Sequence, residues 1–264
     1  MNVAAARVPI VRPLRAQVRC GLVGLHASAD AESELVDQAA FGERMTILGR
    51  DAGWSYVQGE DGYLGWTPDA GLRLVAPSAT DRIVVVHGAA VHAAPEPDAP
   101  VIDTLTPGAV VDGSADGSAD GSREWLRCGD GWLASADTVA AGQLPQRPPT
   151  AADLFATAAT FLGSPYLWGG LSSRGIDCSG LTQQVYRLNG VALPRDADQQ
   201  ALCGRPVDVA APGDLLFFGA ELVTHTAIAT GPGTFVHAPR AGGAVEHAAL
   251  GPDRALRAIR RLLP

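Results

Sequence analysis

The first 140 residues carry an internal repeat, and that repeat limits this half of the chain to small β-units. Leu25-His26-Ala27 recurs as Val91-His92-Ala93, and Gly42 and Gly108 each follow their histidine by sixteen residues. Trp54 to Gly65 likewise resembles Trp125 to Ala134, and both read as hairpins with an Asp-Gly turn. Between its glycine and its tryptophan the second copy is five residues longer, which equals one Asp-Gly-Ser-Ala-Asp unit of the tract Asp112 to Ser122. That insertion reads as a lengthened loop. Short alternating strands broken by Gly and Asp predict two small β-barrels, over 1–78 and 79–142. The stretch Leu144-Pro-Gln-Arg-Pro-Pro-Thr150 cannot continue a helix or a central strand, so 143–150 reads as a Pro-rich linker.

Beyond the linker, 151–264 reads as a separate α+β domain. Leu154, Ala158, Phe161 and Leu162 share one face of a helix from Ala151 to Leu162. A second helix is expected from Cys178 to Leu188, with Leu181, Val185 and Leu188 as its apolar stripe and Asn189-Gly190 as its stop. Strand-like runs follow at Asp214–Gly219, Thr224–Thr230, Thr234–Ala238, Ala244–Ala248 and Leu256–Leu262, the last of which also fits a helix.

Composition narrows the partners. A formal charge of −8 argues against nucleic acid and anionic membrane surfaces, and 47% apolar residues exclude a disordered chain. A peptide or small-molecule substrate fits better. No apolar run has the length of a signal peptide or a membrane span, so a cytoplasmic location is expected. Cys20, Cys128, Cys178 and Cys203 show no paired spacing and read mostly as reduced thiols. His26, His87, His92 and His247 read as solvated loop or edge residues.

The chemistry concentrates after the linker. Tyr166-Leu-Trp168-Gly-Gly and then Gly175-Ile-Asp177-Cys178-Ser179-Gly180 run directly into the second helix. Unsatisfied N–H groups and the helix dipole at such a start favour a thiolate, so Cys178 is the candidate nucleophile with a lowered thiol pKa. His225 and His237 sit on successive strand-like runs. A tight turn at Gly231-Pro-Gly233 would place them on one face, His237 orienting His225 as general base for Cys178. Tyr166 and Trp168 read either as substrate contacts or as core aromatics. Asp177 beside the nucleophile disfavours its thiolate and needs another task, such as capping the helix. No cofactor is required, and no fourth ligand makes Cys178, His225 and His237 a zinc site.

With Leu193-Pro-Arg195-Asp196-Ala-Asp-Gln-Gln and Pro212-Gly-Asp214-Leu-Leu-Phe-Phe, these residues resemble the NlpC/p60 cysteine peptidases, over about Ala151 to Pro264. The two N-terminal units resemble bacterial SH3-like domains. The resemblance implies a papain-like catalytic domain, helices packed on an antiparallel sheet, preceded by two SH3-like barrels. It implies hydrolysis of the γ-D-glutamyl bond to a diamino acid in murein peptides during cell-wall recycling, with Cys178 N–H and the Tyr166 hydroxyl as oxyanion donors and Trp168 against the substrate. Asp177 would hold the free amine of an N-terminal L-alanine, and Glu34 and Tyr63 would close the cleft around it. Ser179 would cap the helix or meet a substrate carboxylate. Asp196 would order the Pro194 turn or contact the second amine of diaminopimelate. Alternatives are an amidase or endopeptidase of intact wall, a papain-like acyltransferase using the same triad, and a wall-binding module without activity. Neither the oligomeric state nor the choice between diaminopimelate and lysine is encoded legibly.

Overall fold

The structure, a computed structural model, describes residues 10–74, 81–113, 124–144, 148–251 and 255–264. The lengthened loop at 114–123, the boundary near 78 and the middle of the Pro-rich linker (145–147) lie outside the described residues.

Strands β1 (Ile10–Val18), β2 (Leu22–His26), β3 (Leu35–Ala40), β4 (Arg44–Asp51), β5 (Trp54–Gly59), β6 (Leu64–Pro68) and β7 (Leu72–Leu74) form one antiparallel sheet. Its order among the described residues is β3-β2-β6-β5-β4-β1-β7, which leaves β3 at an edge. Alternation turns Val23 and Leu25 of β2 and Met45 and Ile47 of β4 inward, where they share a core with Val57.

The next residues form two sheets around a second core of Val84, Val91, Leu105, Val111, Leu126 and Leu133. They comprise β8 (Asp81–Val84), β9 (Ala89–His92), β10 (Val101–Leu105), β11 (Val110–Asp112), β12 (Trp125–Cys128), β13 (Gly131–Ala134) and β14 (Thr138–Ala140). The orders are β10-β9-β13-β12 and β11-β8-β14. The β12–β13 turn is Gly129-Asp130, one residue earlier than the expected Asp-Gly, with Gly129 at φ +58°.

The repeated residues make repeated contacts. His26 meets Trp54 edge-on at 5.6 Å and His92 meets Trp125 at 5.3 Å. Their Nδ1 atoms lie 3.1 Å from Ser33 O and 2.9 Å from Ala99 O, each seven residues on. These histidines are therefore packed, not solvated as expected. His87 also departs from expectation, bonding Thr160 Oγ1 at 2.8 Å and packing on Phe161, whereas His247 is exposed. Gly42, at φ +75°, joins the two β regions: a Cβ there would lie 1.8 Å from the Val110 carbonyl oxygen.

The remaining chain supplies α1 (Ala151–Ala159), β15 (Leu171–Ser172), β16 (Gly175–Ile176), α2 (Cys178–Arg187), α3 (Ala197–Gln200), β17 (Arg205–Pro206), β18 (Leu215–Phe218), β19 (His225–Gly231), β20 (Thr234–His237), β21 (Glu246–Ala249) and β22 (Leu256–Arg261). Thr150 and Asp153 form a capping box on α1. That helix stops at Ala159, three residues short of expectation, and leaves Leu162 exposed. The strands form a sheet in the order β17-β22-β18-β19-β20-β21. Pairing with β18 makes the ambiguous last run a strand. Leu181 and Val185 of α2 share a buried cluster with Leu215, Phe217, Ile228 and Val236. Gly190 takes φ +78° just past the helix, as its position after Asn189 predicts. No helix among the described residues is long and apolar enough to cross a membrane.

Candidate active site

Cys178 begins α2 because Asp177 caps it: Asp177 is extended, and its Oδ1 accepts the Gly180 N–H at 2.7 Å. The thiol is buried, at 8% exposure. Burial first and the Asp177 charge second push it up to about 11, against the backbone N–H groups of Thr226 and Ser179 and the Arg195 charge. The expected lowering is thus reversed, since helix-start N–H groups do not offset the loss of solvent. At neutral pH this thiol needs a base.

The Thr226 N–H that reaches the thiol belongs to the residue after His225, which opens β19. The β19–β20 hairpin turns at Pro232-Gly233, and its pairing Ile228↔Val236 puts His225 and His237 on the same sheet face. His225 Nε2 lies 2.8 Å from His237 Nδ1. His237 is buried, and its Nε2 stands 3.6 Å from the Glu246 carboxylate across the β20–β21 pair. No group of three or more His, Cys, Asp or Glu among the described residues is arranged to hold a metal ion.

In front of Cys178 opens a cleft of about 570 Å³ built from two parts of the chain. The first β region contributes Val36 of β3 and the loop residues Glu34 and Tyr63; the C-terminal part contributes Tyr166, Trp168, Cys178, Ser179 and Asp196. Tyr63 Oη lies 3.3 Å from Asp196 Oδ1, and Trp168 Nε1 donates to Glu34 Oε1 at 2.8 Å. Trp168 remains 60% exposed, so it is no core residue. Burial, then the neighbouring Cys178, push the Tyr166 phenol up to about 12. Burial likewise raises the Asp196 carboxyl, with Asp198 and Asp177 adding to it and Arg195 opposing.

Asp177 caps the helix, one of the tasks expected of it, and its other acceptor positions are also taken within the fold. Its Oδ1 accepts from Gly180 N, Ser179 Oγ (3.2 Å) and Arg195 Nη1 (3.0 Å), and its Oδ2 from Gly169 N (2.8 Å) and Arg195 Nη2 (2.6 Å). A carboxylate has about four acceptor sites. These partners fill them, leaving nothing for a substrate ammonium. Ser179 is similarly engaged, accepting from Arg195 Nη1 at 2.9 Å.

Sequence reasoning passed over Arg195 and Asp37. Arg195 is 2% exposed, and its Nε donates to Asp37 Oδ1 at 2.6 Å. Burial pushes the Asp37 carboxyl up to about 7 although Arg195 pulls it down. A usable signal existed: Asp37 has the same inward parity on β3 as Ala39, a position that normally takes an apolar residue. Val223 and Thr224, also on the cleft wall, carried no signal.

Residues 163–254 match the NlpC/P60 family, and residues 25–72 match the bacterial dipeptidyl-peptidase Sh3 domain. Over 246 residues the chain is 30% identical to a γ-D-glutamyl-L-lysine dipeptidyl-peptidase of Bacillus cereus, covering 81% of this chain and 70% of that one. A protein of the same description from Bacillus subtilis is 40% identical over 124 residues, or 45% of this chain and 41% of that relative's length. The crystal structure of an NlpC/P60 family protein from Bacillus cereus superposes with a TM-score of 0.82 at 25% identity, over 95% of this chain and all of that one.

Proposed function

The chain belongs to the NlpC/P60 family of peptidases, and from that premise we propose that it hydrolyses the bond between γ-D-glutamate and a diamino acid in murein peptides whose N-terminal L-alanine is free. One observation carries this reading: the thiol opens onto a cleft lined by Glu34, Tyr63 and Asp196, with Tyr63 hydrogen-bonded to Asp196 and Glu34 to Trp168. Two carboxylates and a phenol suit an ammonium and not an acylated nitrogen. Of Asp177 and Asp196, Asp196 is the one that keeps acceptor capacity toward the cleft.

In the proposed cycle His225 takes the Cys178 proton as sulfur bonds to the γ-carbonyl carbon, and His237 fixes the orientation of the His225 ring. The Cys178 N–H and the Tyr166 hydroxyl donate to the oxyanion. Collapse expels the diamino acid amine, which takes the proton from His225. Water then cleaves the thioester, regenerating the thiol and releasing L-Ala-D-Glu. Trp168, tied to Glu34, forms one side of the amine site, and Ser179 serves the Arg195 network in place of a substrate carboxylate.

A free L-alanine amine exists only once the peptide has been cut from its glycan. That requirement fits recycling of released fragments, and with it a cytoplasmic site of action that cell fractionation tests. Residues 1–78 and 79–142 fit two SH3-like units, supported by the matched histidine–tryptophan contacts, with 151–264 as the catalytic domain.

Mass spectrometry of L-Ala-γ-D-Glu-diaminopimelate and L-Ala-γ-D-Glu-L-Lys after incubation tests the reading. Release of L-Ala-D-Glu by the wild type and none by Cys178→Ala is expected. No turnover of either peptide, with cleavage of intact murein instead, would replace it with a wall endopeptidase or amidase.

A further inference from the structure

The buried ion cluster under the nucleophile joins two parts of the chain, and only one of them holds the chemistry. Each nitrogen of the Arg195 guanidinium is used. Nε bonds Asp37, Nη1 bonds Asp177 and Ser179, and Nη2 bonds Asp177 and, at 3.4 Å, Gly170 O. Asp177 in turn fixes two backbone N–H groups, of Gly169 before the nucleophile and Gly180 after it. Asp37 lies on β3, the edge strand of the first sheet, and is 5% exposed.

We infer that Asp37 is a positioning residue of the active centre: by holding the Nε side of Arg195 it fixes the Asp177 carboxylate that caps the nucleophile helix.

A guanidinium held by a bidentate carboxylate can still rock about that pair. A second anion on its third edge removes this freedom. Asp37 supplies that anion from a separate sheet, so the nucleophile turn is held from outside its own domain. The surrounding contacts point the same way. Gln38 Oε1 accepts the Leu171 N–H at 3.1 Å, and a Cβ on Gly169 (φ +72°) would lie 2.4 Å from the Leu35 carbonyl oxygen. The start of β3 therefore lies directly against the turn that leads into Cys178. Two acids and one guanidinium in a buried site are costly for stability alone, which makes a purely structural use a poor account of Asp37.

The catalytic part of this inference rests on the proposed peptidase reading, so its test includes a measurement without substrate. Asp37→Ala removes the acceptor, and Asp37→Asn keeps an oxygen for the Arg195 Nε–H. If the alanine variant does not fold, Asp37→Leu fills the space without an acceptor. The expected result without the acceptor is a fall in kcat of about tenfold or more with KM within about twofold. Amide hydrogen exchange over 168–181 should rise at least about tenfold while β9 and β13 keep their protection. Asp37→Asn should restore both readouts to within about threefold of wild type.

Wild-type kcat and local exchange in the variant lacking the acceptor would overturn the inference, as would equal losses in the asparagine variant or exchange rising uniformly. Failure of the wild type to cleave the tripeptides would count against the peptidase reading alone, since exchange still judges Asp37.

Discussion

On the proposed reading, acetylating the N-terminal amine of the substrate removes the one cation that Glu34, Tyr63 and Asp196 would receive. Asp196 is half-buried, and its carboxyl is raised first by burial, with Asp198 and Asp177 adding to it against the Arg195 charge, so one more positive charge would stabilise the carboxylate. An ammonium placed there supplies that charge. Blocking it leaves a desolvated carboxylate unpaired, a loss of about 2 to 5 kcal/mol for buried sites. Glu34 is exposed, so the lower end applies. About 2 kcal/mol corresponds to roughly a thirtyfold loss of kcat/KM. The assay compares L-Ala-γ-D-Glu-diaminopimelate with its N-acetyl form on wild type, Glu34→Gln, Tyr63→Phe and Asp196→Asn. The preference for the free amine should shrink in all three and most in Asp196→Asn. The sign of the pH effect follows from the raised Asp196 pKa. Its carboxylate must be charged to hold the amine, so KM should rise as pH falls, beginning at a higher pH than an ordinary carboxylate would give. Asp196→Asn should lose that limb. Equal wild-type rates on free and acetylated peptides would refute the cation site.

Removing the base should expose the intrinsic acidity of the thiol. In His225→Ala, kcat/KM should fall by about 10²- to 10⁴-fold at pH 7 and then rise about tenfold per pH unit between pH 7 and 9, because the Cys178 thiol ionises only near 11; stopped-time assays across that range check it. Arg195→Met should leave Asp37 and Asp177 buried without a counter-ion, at a cost of about 3 to 5 kcal/mol, or roughly 10 °C in melting temperature. The loss should be smaller at pH 5 than at pH 8, since the Asp37 carboxyl, pushed up to about 7 by burial, is discharged by protonation at the lower value, and calorimetry at both values tests this.

Much of this molecule is written locally. The helix start at Cys178 follows from Asp177 as a cap, and the histidine hairpin from alternation around Gly231-Pro-Gly233; both depend on neighbours a few residues away. The repeat was legible for the same reason, since His26 and His92 each meet a carbonyl seven residues on. The acidity of Cys178 was not legible. The helix-start effect and the opposing Asp177 charge are both properties of the segment, whereas burial depends on what packs around it, and burial prevails. The surroundings of Asp177 and Asp196 were not legible for a similar reason: only the fold brings Arg195 beneath the former and Tyr63 beside the latter. The pairing of Asp37 with Arg195 spans 158 residues of sequence. Backbone propensity and side-chain period act over a few residues, but desolvation and charge act through space, and distances through space are set by tertiary structure.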